Sequence, residues 1–160
     1  MDKTTVLRTT TLLGLGSAIY LSGINFSASH LTLPILYRLP KDTSTSAFAE
    51  LYSRGAYTVV PLAIFSTLCT GASAYLDPEK RVGYAIAAGL TFATLPWTQF
   101  AMMETNKNLI KISEETTVSE KKSDGEVERM LRQWKWMNMV RAALAAVGAV
   151  LGFVVAVERV

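Results

Sequence analysis

Cysteine and histidine are almost missing from this 160-residue chain, which has one of each, Cys69 and His30. A single cysteine excludes an internal disulfide framework, a Cys-x-x-Cys redox pair and a multi-cysteine zinc site. One histidine with no pair of inward carboxylates leaves too few ligands for zinc or a non-haem iron triad, so no metal site is expected. No Gly-x-Gly-x-x-Gly, P-loop or Gly-x-Ser-x-Gly elbow occurs either, and any chemistry must be cofactor-light. Basic residues exceed acidic ones by only 16 to 13. No aromatic-interleaved basic patch or binding motif accompanies that excess, which argues against a nucleic-acid partner. Internal repeats are also absent.

Charge is scarce in another sense, because it is missing from long stretches. Thr9 to Leu36 contains no Asp, Glu, Lys or Arg, more than the roughly 20 apolar residues of a spanning helix. A cleaved signal peptide has an apolar core of only ~7 to 15 residues, so this first segment is expected to remain. Gly55 to Leu76 and Val82 to Met103 are likewise uncharged, and Trp136 to Val157 holds only Arg141. Asp77-Pro78-Glu79 marks a tight return between the second and third segments, and Pro96 predicts a kink in the third. The expected fold is all-α, an integral membrane antiparallel four-helix bundle forming one domain over 1–160, with spans at about 9–36, 55–76, 82–103 and 136–157. With one cysteine it cannot be one of the small four-span thiol oxidoreductases.

Two connections, Tyr37 to Arg54 and Glu104 to Lys135, fall on one side of that bundle. The first reads as a Pro-Lys-Asp-Thr-Ser-Thr-Ser break followed by a short helical pattern. In the second, Ser123 and Glu126 form a capping box, so the fourth helix is expected to begin near Asp124. Arg38, Lys41, Arg54 and the bases between Lys107 and Lys135, Lys121 among them, lie on this side. Lys3, Arg8, Lys80, Arg81 and Arg159 lie on the other, and the positive-inside bias makes the two-connection side cytoplasmic. The sequon Asn25-Phe26-Ser27 sits inside a span, where it cannot be used.

Polar residues within the spans mark candidate sites. Gly16, Tyr20, Gly23, Ser27, His30 and Pro34 recur at alternating spacings of four and three, a single helical face expected to look into the bundle. Gly23 and Ser27 suit a small-xxx-small packing contact. An intramembrane His30 is a functional candidate, with a hydrogen-bonded structural histidine as the alternative. Thr98, Gln99, Glu104, Asn106 and Asn108 form a polar cluster at the end of the third span, Gln99 and Asn106 sharing a face. Trp134, Asn138 and Arg141, at i, i+4 and i+7, share a face of the fourth helix. Arg141 either snorkels or meets a partner such as Glu104, a carbonyl array or an anionic ligand. Trp134 also fits an interfacial aromatic belt.

Gly23-Ile24-Asn25-Phe26-Ser27 with Pro34, Thr98 with Thr105-Asn106-Lys107-Asn108-Leu109, and Trp134-x-x-x-Asn138-x-x-Arg141 together resemble the small four-span membrane proteins that include the anthrone oxygenases of polyketide pathways. The resemblance runs over nearly the whole chain, and Trp-x-x-x-Asn-x-x-Arg is its most specific part. Relatives commonly read Asn-x-Pro-x-Asn in the third segment, where this chain has Glu104-Thr105-Asn106-Lys107-Asn108. The resemblance implies oxidation of an anthrone to an anthraquinone with dioxygen as co-substrate and no cofactor. It implies His30 as general base, with Arg141 and Asn138 or Asn106 holding the oxyanion. Trp134 and Tyr20 would stack on a flat substrate, with Ser27 and Thr98 also lining its site. The expected partners are then a hydrophobic small molecule and the lipid bilayer.

Two other classes stay open at this point. A non-catalytic scaffold or small subunit would use the same residues as buried hydrogen-bonded glue in a filled bundle. A carrier of a lipophilic or anionic molecule would use Arg141 as the anion partner, and its narrow path favours a homo-oligomer.

Overall fold

The fold buries many small and hydroxylated residues where its helices meet and leaves many large apolar ones exposed. The computed structural model describes residues 2–115, 118–119 and 122–158, so Lys121 and Arg159 of the orientation argument lie outside the described residues. Those described are helical with no strand. Helix α1 (Lys3–Ser27) continues through a wide π-helical turn (Ala28–Thr32) into α2 (Leu33–Leu36). Helix α3 is a single rod, Lys41–Leu76. A third rod consists of α4 (Arg81–Phe92), α5 (Thr94–Trp97), a second π-helical turn (Thr98–Met102) and α6 (Met103–Glu114). Helix α7 (Asp124–Val157) is the fourth. Of these, α3 and α7 are long and apolar enough to cross a membrane.

Each rod packs on two neighbours, α1 on α3 and α7, and α4 on the same two. The packing is antiparallel, as the contacts show: Thr11 donates to the Ser73 hydroxyl at 3.0 Å while Ser66 donates to the Gly14 carbonyl at 2.7 Å. Gly14 is needed for that approach, because a Cβ there would lie 2.8 Å from the Thr70 backbone nitrogen. Gly148 plays the same part between α7 and α4, where a Cβ would lie 2.8 Å from the Ala87 carbonyl oxygen. Ser22 closes the α1–α7 seam by donating to the Ala142 carbonyl at 2.8 Å. Most of the large buried side chains gather at one end, where Leu36, Phe48, Leu109, Leu131 and Trp134 belong to the main apolar cluster, and a smaller cluster of Leu21, Val59, Ala63 and Ala145 lies apart from it. Elsewhere residues such as Leu12, Ile64, Leu68, Ile86 and Val150 point outward.

Several expectations need correction. The connection from Tyr37 to Arg54 is a turn of only a few residues, since α3 starts at Lys41 behind Pro40 and runs unbroken. Hydroxyls at Thr43, Ser44, Thr45 and Ser46 suggested a loop, yet Thr45 bonds back to the Lys41 carbonyl at 2.8 Å and stays helical. The third rod is interrupted more than one proline kink requires: a turn at Ala93 precedes Pro96, and the wide turn follows it. Helix α3 packs on α4 and α6 but scarcely touches the rod between them.

The stripe Gly16, Tyr20, Gly23, Ser27, His30, Pro34 does not look inward. The buried face of α1 is Thr11, Gly14, Leu15, Ala18, Leu21 and Asn25. Two residues along a helix turn through roughly 200°, so the stripe through Ser27 lies nearly opposite the one through Asn25. Gly16 and Gly23 accordingly have open space where a Cβ would stand, and no packing contact forms at Gly23.

At the end that carries the long cluster, Lys41 ties the two connections together, donating to the carbonyls of Ser119 at 2.7 Å and Lys122 at 2.9 Å. The Ser119 hydroxyl donates to Asp42. Helix α7 begins in the expected capping box, with Ser123 N–H donating to Glu126 at 3.0 Å and Glu126 N–H to the Ser123 hydroxyl at 3.3 Å. That backbone donor, helped by Lys122, holds the Glu126 carboxyl below the usual carboxylate range.

Candidate functional site

A cavity of about 220 Å³ lies where all four rods meet, beside the main apolar cluster. Its side walls are apolar: Ile24 and Ala28 from the first rod, Leu51, Val59 and Val60 from α3, and Leu95 and Met103 from the third. It opens between α3 and the interrupted third rod, where Val60 and Gln99 are exposed at the rim and Gly55 and Ala56 leave the wall low. An apolar cavity of ~150 Å³ takes a benzene. This one therefore admits one ring and part of a fused neighbour, and a three-ring molecule must extend through the mouth.

The opposite end is polar and tightly ordered. Asn138 spends both amide hydrogens on α1 and its following turn, donating to the Asn25 carbonyl at 2.8 Å and the Ser29 hydroxyl at 2.9 Å. Its oxygen accepts from Arg141 Nη1 at 3.1 Å. The arginine is 9% exposed, its Nε has no partner, and no carboxylate lies within 4 Å among the described residues. The Asn25 amide nitrogen is a second buried donor with no acceptor. Buried cations are ordinarily paired, because the low dielectric penalises an uncompensated charge heavily. Both residues border the same space, although these two nitrogens are themselves sealed from it.

Trp134 forms the adjoining wall. Its Nε1 donates to Asn106 Oδ1 at 2.7 Å, and Phe48 meets its ring edge-on, with centroids 5.3 Å apart at 88°. Tyr52 in turn stacks on Phe48, at 6.4 Å and 21°. The aromatic wall is thus locked from behind, and substrate-sized motion of these rings is resisted by packing.

The residues singled out in the sequence divide accordingly. Arg141, Asn138, Trp134 and Thr98 line the cavity. Asn106 stands behind Trp134 as its acceptor rather than in the cavity. His30 does not join them: it is exposed on the outer face and stacks on Phe26, with centroids 5.1 Å apart. Tyr20, 62% exposed, and half-buried Ser27 share that outer face and line no part of the cavity. Glu104 is exposed and is not the partner of Arg141. Gln99 and Asn106 do not share a face, since the π-helical turn between them carries an extra residue and shifts the helical phase.

Residues that sequence reasoning missed are Tyr52, Asn25 as an amide donor, and Ser29. The signal for Tyr52 was present: Phe48, Tyr52, Ala56 and Val59 follow a helical stripe, visible once α3 is extended back to Lys41.

A sequence model described as anthrone oxygenase matches residues 48–151. Relatives include an anthrone oxygenase of Claviceps purpurea (strain 20.1), 25% identical over 148 residues that cover 89% of this chain and 85% of the relative. An anthrone oxygenase of Aspergillus novofumigatus is 28% identical over 162 residues, covering 96% and 94%. A protein named as a monooxygenase, from Dothistroma septosporum, is 28% identical over 141 residues, covering 83% and 75%. No solved structure matches the chain. The matched region contains every cavity residue named above except those of α1 and its following turn.

Proposed function

The chain belongs to the anthrone oxygenase family, and on that premise we propose that it is a four-span membrane enzyme that oxidises an anthrone to an anthraquinone with dioxygen and without metal or flavin. The observation that carries the reading is Arg141, a buried guanidinium with no carboxylate within 4 Å among the described residues, which lines with Asn25 and Asn138 the polar end of an otherwise apolar cavity. Such a site suits a flat hydrocarbon bearing one anionic oxygen.

Residues 9–36, 55–76, 82–103 and 136–157 are assigned to the bilayer. What supports this is the outward apolar surface on all four rods, with Leu12, Leu68, Ile86 and Val150 as examples, and the small, hydroxylated interior typical of helices that associate in lipid. The large-residue cluster then lies toward the aqueous end, where water drives burial. Arg141 lies roughly 8 Å inside the boundary on a rise of 1.5 Å per residue. The mouth between α3 and the third rod faces lipid, which concentrates both a ring system and dioxygen.

The chemistry needs little. Loss of a methylene proton turns an anthrone into an aromatic phenolate, with negative charge on the former carbonyl oxygen. Arg141 stabilises that oxygen most strongly in a dry site. The carbanion end reduces dioxygen, joins it as a peroxide, and loses water to give the quinone. One anthrone and one dioxygen thus yield one quinone and one water. Trp134 holds the ring plane.

The test is dioxygen uptake and quinone formation by purified, detergent-solubilised protein given a hydroxylated anthrone, against spontaneous oxidation and Arg141→Ala. Acceleration that disappears in the variant is expected. No acceleration over the spontaneous rate transfers the weight to a non-catalytic scaffold or a carrier.

A further inference from the structure

The oxygenase reading leaves one step without a residue, because His30, the only imidazole in the chain, is on the outer face. Among the described residues sixteen line the cavity, and of these only Arg141 and Tyr52 carry an ionisable side chain. A guanidinium has no lone pair to offer a proton. The other charged groups nearby are spoken for or turned away: Glu50 and Arg54, on the same helix as Tyr52, pair with each other at 2.5 Å on the exposed face. Neither α1 nor the third rod contributes a titratable residue to the lining, and Glu104 is exposed.

Resting on the oxygenase reading, we infer that Tyr52 is the catalytic residue that accepts the substrate's methylene proton, with Arg141 as the counter-ion of its phenolate. Three observations combine here. Tyr52 and Arg141 border one cavity from different helices, α3 and α7. Arg141 has no carboxylate within 4 Å among the described residues, so it is available to compensate a phenolate. The Tyr52 ring is fixed by its stack on Phe48, which Trp134 braces in turn.

The proton balance closes on this one residue. The phenolate oxygen of Tyr52 takes a proton from the methylene carbon, and the C–H electron pair passes into the ring system to leave the negative charge on the substrate oxygen. Arg141 is thereby handed from one oxyanion to the other and is never left unpaired within the cycle. Dioxygen accepts two electrons as its bond to the carbon forms. The Tyr52 hydroxyl returns its proton to the terminal peroxide oxygen. A second removal of the remaining C–H proton by Tyr52 breaks the O–O bond and expels hydroxide, which takes that proton from Tyr52 and leaves as water.

Tyr52→Phe keeps the ring and its stack and removes only the oxygen. The experiment measures exchange of the methylene protons of a hydroxylated anthrone with deuterium oxide under anaerobic conditions, and quinone formation in air, for wild type and variant in the same detergent. The expected result is that wild type accelerates both and the variant loses at least about 100-fold in each, the usual scale of general-base catalysis. Exchange and turnover within about twofold of wild type would overturn the inference and leave the oxygenase reading standing. So would a wild type that makes quinone in air without accelerating anaerobic exchange. A wild type that does neither removes the oxygenase reading and this inference with it. If Tyr52→Phe does not fold, Tyr52→3-fluorotyrosine replaces it, since that change alters little beyond the acidity of the phenol. An altered exchange rate supports the assignment and an unaltered one overturns it.

Discussion

Replacing Arg141 by methionine separates a side chain kept for chemistry from one kept for structure. Methionine fills much of the same volume without charge, so two contributions to stability change in opposite directions. Asn138 Oδ1 loses its donor from Arg141, formed at 3.1 Å, and an orphaned buried acceptor costs about 1–3 kcal/mol. Against this, a buried cation with no carboxylate within 4 Å among the described residues disappears, and relieving such a charge is worth several kcal/mol. The expected net is an unfolding temperature in detergent that is unchanged or raised. Turnover should move the other way. Loss of a preorganised oxyanion donor lowers kcat by roughly 10² to 10³, or about 2.7–4 kcal/mol of transition-state stabilisation. Thermal unfolding by tryptophan fluorescence and dioxygen uptake on the same preparation read both quantities. A marked fall in unfolding temperature with kcat preserved refutes the reasoning, because it is the signature of an arginine that glues the bundle through a contact.

Three further outcomes are expected. His30→Ala should keep turnover within about twofold, because the imidazole stacks on Phe26 outside the bundle; loss of activity in a folded protein, by the same uptake assay, would restore a role for it. Trp134→Phe should destabilise the protein by about 1–3 kcal/mol by leaving Asn106 Oδ1 without a donor. The double change with Asn106→Leu should recover part of that, as a thermal-unfolding cycle will show. Lowering pH should fray the start of α7: the Glu126 carboxyl titrates below its ordinary value of 4.5 in the folded chain. Its contribution is therefore complete above that value and is lost as pH falls through the depressed folded-state one. Amide hydrogen exchange at residues 124–128 measures this, and Glu126→Gln should abolish the pH dependence there.

The helical class, the start of α7 and the shared face of Trp134, Asn138 and Arg141 were legible because each depends on local signals: charge-free runs, a capping box, and i, i+4, i+7 spacing. The phase of α1 was not. Two stripes of α1 obey the same spacing, and the choice between them went to the one with the most polar residues. Yet burial favoured the stripe whose small side chains let α3 and α7 approach, Gly14 and Ala18 among them. Asn25 and Ser29 lay on that inward side, with a carbonyl and a hydroxyl that Asn138 finds only after the rods are packed. Tyr52 was hidden for a different reason. Consecutive hydroxyl residues at positions 43–46 read as a break, although each can bond a preceding carbonyl and remain helical. The exposed position of Glu104 and the phase shift before Asn106 both trace to one wide turn that no residue in Thr98–Met102 announces.

That turn also sets the chain's tolerance to changes in length. Because it holds one residue more than an α-helical turn would, removing any single residue from Thr98–Met102 should let the rod relax to ordinary α geometry while leaving everything beyond it in its present phase. Asn106 would keep its bond to Trp134, and Leu109 and Ile112 their places in the main apolar cluster. A deletion of one residue here is therefore absorbed by the turn, whereas the same deletion inside α6 would turn every residue beyond it by roughly 100°.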